Sequence, residues 1–146
     1  MQLEIKIDDS CIEPTVIILT ASMSEEVNQI IQKLSEETPH LLSGRKEGRI
    51  EILEPDELIT IYASNHKVLA VTGQGEYLLQ RRLYEIEAQL NPHQFIRISN
   101  SEIINIKKVK HFDLSFTGTI CVMLANGSKT YVSRRNVPKI KKLLGI

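Results

Sequence analysis

The sequence predicts an α+β protein that is mostly β. A small acidic β-β-α unit spans residues 1–48, and residues 49–146 form a β-rich domain with one short helix and a C-terminal helix. Three observations lead there. Short segments in which apolar and polar residues alternate, or in which β-branched residues cluster, recur between turn signals along most of the chain. Helical apolar spacing is confined to three places. Charge divides at the boundary: residues 1–48 hold four basic and nine acidic side chains, and residues 49–146 hold fourteen and nine. A chain of 146 residues has length for one good core, or for a domain with a short appendage.

In chain order, residues 1–7 read as a strand, with Leu3, Ile5 and Ile7 on one face and Gln2, Glu4 and Lys6 on the other. Asp8-Asp9-Ser10 ends it. Residues 15–20 are β-branched and apolar on both faces, the pattern of an internal strand. Ser22-Met23-Ser24-Glu25 has capping-box spacing, in which the Ser22 hydroxyl and the Glu25 carboxylate satisfy free amides at a helix start. Val27, Ile30, Ile31 and Leu34 follow as an apolar stripe, and Pro39 is expected to stop the helix. A unit this small buries little surface alone, so it is expected to pack on the rest of the chain or on a second copy. Residues 43–48, with Gly44 and Gly48, read as a loop or linker.

Beyond it, residues 50–53, 58–62, 67–72 and 76–80 are short β segments, separated by Glu54-Pro55-Asp56, Ala63-Ser64-Asn65-His66 and Gly73-Gln74-Gly75. Leu83, Ile86 and Leu90 mark the buried face of a short helix that Asn91-Pro92 closes. Strands resume at 95–98, 103–104, 109–116, 119–124 and 129–132, and Thr117-Gly118 and Asn126-Gly127 supply the positive φ angles of tight hairpins. Residues 134–144 read as the closing helix, with Val137, Ile140 and Leu144 on one face. This part leaves no room for a helix-turn-helix recognition helix.

Several function classes are excluded. Apolar runs such as Val16-Ile17-Ile18-Leu19 fall far below the roughly 20 residues that cross a bilayer, and the start of the chain lacks the basic n-region of an export signal. The expectation is a cytoplasmic protein whose thiols, Cys11 and Cys121, stay reduced. Neither cysteine shares a metal-ligand spacing with His40, His66, His93 or His111, so no metal site is expected. Asp8-Asp9 after a first strand resembles the acidic pocket of a phosphoacceptor receiver, but the βα units that such a domain needs are missing. Gly73-Gln74-Gly75 lacks the third glycine of a dinucleotide loop. No catalytic arrangement is legible, and no enzyme is expected. From Arg97 onward ten Lys and Arg face only Glu102 and Asp113, which makes a polyanionic partner plausible there.

The stretch Phe95-Ile96-Arg97-Ile98-Ser99-Asn100-Ser101-Glu102-Ile103-Ile104-Asn105 resembles the phenylalanine-arginine-histidine-serine-asparagine signature of the LytTR family of bacterial DNA-binding domains. The likeness continues in register through Ile106-Lys107-Lys108-Val109, Leu124-Ala125-Asn126-Gly127-Ser128 and Val132-Ser133-Arg134-Arg135-Asn136-Val137. Upstream, Ile61-Tyr62-Ala63-Ser64-Asn65-His66-Lys67-Val68 looks like the family's first contact loop. In one departure, Ser99 stands where the family commonly has a histidine.

The resemblance implies a mostly β fold whose loops, rather than a helix, enter successive major grooves of double-stranded DNA. By position the contact loops are residues 64–67, 99–101 and 133–136. Asn100 suits a bidentate pair with adenine and Arg135 one with guanine, while His66 can donate or accept at a base edge. Ser64, Asn65, Lys67, Ser99, Ser101, Lys107, Lys108, Ser133, Arg134 and Asn136 are expected as phosphate or supporting contacts. Asn105, between two isoleucines, reads as a structural turn residue. The expected function is a sequence-specific transcription regulator without a receiver domain and without a cofactor. It would act at repeated promoter sites as a homodimer, its N-terminal unit serving dimerisation or control. Stand-alone members of the family can be held inactive by a membrane protein, so the resemblance implies such a partner. The alternative is a basic interaction module for a protein partner or an anionic membrane surface.

Overall fold

The computed structural model describes residues 1–34 and 41–146. The chain divides into two compact units, Met1–Pro39 and His40–Ile146.

Within the described residues the first unit has one regular element, helix α1 (Glu25–Leu34). Its first turn is capped by Ser24, whose Oγ accepts from the Val27 amide at 3.3 Å, so the cap lies two residues beyond the expected Ser22. The expected stop at Pro39 lies outside the described residues. Neither predicted strand forms: residues 1–7 and 15–20 carry no ladder, and Leu3, Ile5, Ile7, Ile17 and Leu19 are exposed. Alternation describes which face a strand would bury, but a strand exists only where a neighbour accepts its backbone hydrogen bonds, and among the described residues of this unit no segment supplies one. The β-β-α expectation therefore reduces to an extended segment and a helix.

The second unit holds two antiparallel sheets. Its elements in order are β1 (Ser43–Lys46), β2 (Arg49–Ile52), β3 (Leu58–Ser64), β4 (Lys67–Thr72), β5 (Gly75–Leu79), α2 (Leu83–Gln89), β6 (Phe95–Ser99), β7 (Glu102–Asn105), β8 (Val109–Asp113), β9 (Ile120–Leu124), β10 (Lys129–Val132) and α3 (Val137–Leu144). Seven strands pair in the order β2-β1-β5-β4-β3-β7-β6, and three in the order β10-β9-β8. Residues 43–46, expected as linker, are strand β1, paired with β2 and with β5 through Arg45 and Leu78. Gly44 misleads the sequence reading because its role is steric. A Cβ there would stand 2.5 Å from Cβ of Tyr77 and 2.9 Å from Leu53, so only glycine lets the strands close. Strand pairing thus carries the fold upstream past the composition boundary at residue 48.

Strands β3, β7 and β6 of the large sheet are buried on both faces. On one, Leu58, Ile61, Tyr77, Leu79 and Ile103 pack with Leu83 and Ile86 of α2. On the other, Ile59, Ile96, Ile98 and Ile104 pack with Ile120, Val122 and Leu124 of the small sheet and with Ile140 of α3. Consecutive strand residues point to opposite faces, so Ile103 and Ile104 serve the two cores separately. At the far end of β7, Asn105 is wholly buried. Its Nδ2 donates to the Leu58 carbonyl at 2.7 Å and its Oδ1 accepts from the Lys107 amide at 3.0 Å, the structural role expected of it. Cutting such a side chain to alanine leaves a buried carbonyl without its donor, at a cost of about 1–3 kcal/mol.

Because β1 lies between β2 and β5, a fragment of residues 40–146 is expected to fold with a cooperative urea transition. A fragment of residues 49–146 loses that strand and is expected to unfold at clearly lower urea. Equal midpoints for the two fragments would mean that β1 contributes nothing to the sheet.

Candidate nucleic-acid interface

The three loops named from sequence come from elements far apart in the chain, and hydrogen bonds set them side by side. Strand β3 ends in a two-residue hairpin, with Ser64 opposite Lys67 and Asn65-His66 at the tip. Both tip residues have positive φ, 50° at Asn65 and 62° at His66, the arrangement that matches the twist of a two-residue hairpin. Asparagine tolerates that region; histidine takes it at a cost of the order of 1 kcal/mol. All four residues of this loop are exposed.

The hairpin of β6 and β7 lies beside it. Tyr62 of β3 is opposite Glu102 of β7, and the Ala63 amide donates to the Ser101 carbonyl at 2.8 Å. At this second tip the Ser101 amide donates to Ser99 Oγ at 3.2 Å, so a serine rather than Asn100 supplies the local turn bond. The Asn100 side chain points elsewhere: its Oδ1 accepts from Nη2 of Arg135 at 2.5 Å. The third loop is joined from below as well, since the Ser133 amide donates to the Ile98 carbonyl at 2.8 Å. Arg134–Asn136 is a 3-10 turn leading into α3, in place of the first turn of a longer helix. Asn136 Nδ2 donates to Ser133 Oγ at 2.6 Å, which makes Asn136 a brace for the turn. Arg134 and Arg135 are both exposed.

Two side chains that the sequence reading left without a role support the row. Arg97 is half-buried and donates through Nε to the Ser99 carbonyl at 2.7 Å and through Nη2 to the Asn100 carbonyl at 2.6 Å. Its Nη1 meets Oε1 of Glu87 on α2 at 3.1 Å. Glu102, also half-buried, takes the Thr60 hydroxyl at 2.7 Å on one oxygen and the Thr130 hydroxyl on the other, tying the two sheets together just below the second tip. A pattern of residue types gives no signal for either, because the anchor of Arg97 on Glu87 lies 10 positions away and the threonine partners of Glu102 lie 28 and 42 away.

Lys107 and Lys108 do not join the row. They follow the opposite end of β7, roughly 15 Å or more from Ser101 at about 3.3 Å per strand residue. Lys107 Nζ lies 3.4 Å from Oδ1 of Asp56. The Asp56 carboxyl is held below the usual range chiefly by the Gln94 side chain and then by Lys107.

Electrostatically the row is one-signed. Its loops carry Lys67, Arg134 and Arg135 with no carboxylate among them. A cavity of about 250 Å³ that shares Tyr62 and Glu102 with the strands supporting the row is lined also by Glu76, Lys129 and Thr130, and its two carboxylates make it a poor site for a polyanion. Among the described residues no group of three or more His, Cys, Asp or Glu could hold a metal ion, and no helix is long and apolar enough to cross a membrane.

Comparison with known proteins agrees with this fold. The family model of the LytTr DNA-binding domain matches residues 48–145. Proteins of Staphylococcus aureus strains NCTC 8325 and COL, each named as an HTH-type transcriptional regulator, are 35% identical over 147 aligned positions that cover 100% of this chain and 99% of theirs. The LytTr DNA-binding domain of a methyl-accepting/DNA response regulator from Bacillus cereus superposes with a TM-score of 0.69 at 21% identity, over 73% of this chain and 97% of that one. At that identity the likeness is one of fold. Despite the relatives' name, no two α-helices adjoin among the described residues of this chain. Five strands separate α1 from α2, and five more separate α2 from α3.

The positive φ at His66 yields a test of its role. His66→Gly removes the backbone strain, so stability by urea unfolding is expected to hold or to rise by up to about 1 kcal/mol, while affinity for DNA falls. A stability loss above 1 kcal/mol would show that His66 is a packing residue.

Proposed function

The chain belongs to the LytTR family of DNA-binding domains and is a DNA-binding transcription regulator, and we propose that it reads duplex DNA through the row formed by residues 64–67, 99–101 and 133–136. The observation that carries this reading is the hydrogen bond from Arg135 to Asn100. It joins two loops 35 positions apart and points two base-reading side chains to one place. An amide oxygen has two lone pairs, so Asn100 can keep Arg135 on one and accept from adenine N6 on the other, while its Nδ2 donates to N7. Arg135 retains further N–H donors for guanine O6 and N7. His66, at the neighbouring tip, serves the next groove. Two arginines just ahead of α3 oppose its dipole, a cost that a phosphate relieves. Lys67 and Arg134 therefore hold the backbone, with Ser64, Asn65, Ser99, Ser101, Ser133 and Asn136 shaping the loops. Lys107 and Lys108 stand apart and serve only DNA that extends past the opposite end of β7.

Asn100→Ala and Arg135→Ala are each expected to cost about 1–3 kcal/mol on a cognate duplex and much less on random duplex. Because the pair shares a hydrogen bond, the double variant is expected to cost less than the sum. Mobility shifts on both duplexes measure this. Equal losses on cognate and random DNA would remove the base-reading roles, and retention by anionic vesicles without any duplex shift would favour a membrane surface as partner.

We further infer a cytoplasmic homodimer at repeated promoter sites, with the acidic first unit serving dimerisation or control, without an enzymatic activity of its own, and open to restraint by a membrane protein. The exposed apolar residues Leu3, Ile5, Ile7, Ile17 and Leu19 support a second copy as the surface that covers them. Sedimentation of the full chain is expected to show a dimer, alone or on a two-site duplex. A monomer that fills two sites without cooperativity would overturn it.

A further inference from the structure

We propose that Arg97, which is not one of the DNA-reading residues, is the positioning residue that determines the base preference of Asn100, by clamping the tip of the β6–β7 hairpin to α2. This rests on the reading of Asn100 as a base contact and specifies what governs it.

All three guanidinium nitrogens are committed. Nε and Nη2 hold the carbonyls of Ser99 and Asn100, two consecutive peptide units of the tip, and Nη1 is anchored on Glu87. Holding two successive carbonyls from one rigid planar group fixes the rotation of the peptides on either side of the Asn100 Cα, and so the direction of its side chain. A two-residue tip has few bonds of its own. Beyond this clamp its described constraints are the Ser99–Ser101 contacts, the Ser101 carbonyl bond to Ala63 and the Arg135 bond to the end of the Asn100 side chain. The backbone carbonyl of Arg97 in turn accepts from Lys139 Nζ of α3 at 3.2 Å, so the strand residue that bears the clamp also meets the helix that follows Arg135. The two partners of the Asn100–Arg135 bond are thus located relative to each other through Arg97. A bidentate base contact demands both distance and plane, so a tip released from the clamp loses discrimination at its own base pairs before it loses affinity. Lysine at 97 keeps the positive charge but has a single nitrogen, and it cannot reach both carbonyls and Glu87 in one plane.

The test is selection of binding sequences from a random duplex pool by the full chain, followed by titration on the selected duplex and a scrambled one at several salt concentrations. The wild-type protein is expected to select a defined sequence; if it selects none, the loop-reading function falls and this proposal with it. Arg97→Lys is expected to lose selectivity at the base pairs that Asn100→Ala loses and to keep those that His66→Ala loses. Its selected-to-scrambled affinity ratio should fall about tenfold, and its salt slope should be unchanged. A retained wild-type selection overturns the proposal. So does an equal loss on both duplexes with the salt slope reduced by about one, which would make Arg97 a phosphate contact. Should Arg97→Lys fail to fold by circular dichroism, Glu87→Ala removes only the anchor, at a half-exposed position. It is expected to show the same base-specific loss at smaller size, and unchanged selection by that variant overturns the proposal equally.

Discussion

The second unit depends on a single short strand being buried on both sides. In β7, Ile103 faces the core that α2 closes and Ile104 faces the core that the small sheet and α3 close, and both are wholly shielded from solvent. Each such side chain is worth about 1.5–3 kcal/mol when fully buried. The greater consequence is one of register. Sliding β7 by one residue would exchange the two faces and place Glu102 or Asn105, according to the direction, where an isoleucine belongs. With the register locked, the start of β7 is locked too, and Ser101 is delivered beside Ala63 of β3. The placement of the three loops is therefore an outcome of core packing, and they need little order of their own.

Polar groups at the two ends of β7 do different work. At one end Asn105 satisfies a carbonyl and an amide and is closed to any ligand. At the other, the loops leave their polar tips toward solvent while Arg97, Glu102 and Ser99 satisfy the backbone and threonine groups beneath them. This separation explains how three loops rich in serine, asparagine and basic residues stay ordered. Much of their support lies underneath, and Ser64, Asn65, His66, Lys67 and Arg134 are exposed at their tips. The positive φ at His66 belongs to the same economy, since strain persists where surrounding structure fixes it.

The proposed recognition by loops also suits what the helices are committed to. Ile86 of α2 and Ile140 of α3 are fully buried, so each helix spends its apolar face on a core. α3 adjoins the row of loops through the Arg134–Asn136 turn that precedes it. A groove-filling helix would have to project from the unit, whereas hairpin tips project without giving up any core contact.

How much of this was legible in the sequence depends on the range of the interaction concerned. Period-two apolar patterns, glycine and asparagine turns and the Leu83-Ile86-Leu90 spacing are local, and they located nine of the strands and helices α2 and α3 of the second unit. The family signature located the three loops, because residue types at fixed offsets are also local. Local pattern misled where pairing decides. Residues 1–7 and 15–20 alternate or are β-branched like strands yet find no neighbour, while Ser43–Lys46 has the composition of a loop and becomes a strand because β2 and β5 flank it. The tertiary structure alone decided that Asn100 bonds Arg135 across 35 positions, that Arg97 spans from the tip to α2, and that Lys107 lies at the far end of β7. Hydrogen bonds and ion pairs between distant residues are selected by the packed backbone that brings them within 3 Å or so, and a linear sequence carries no distance.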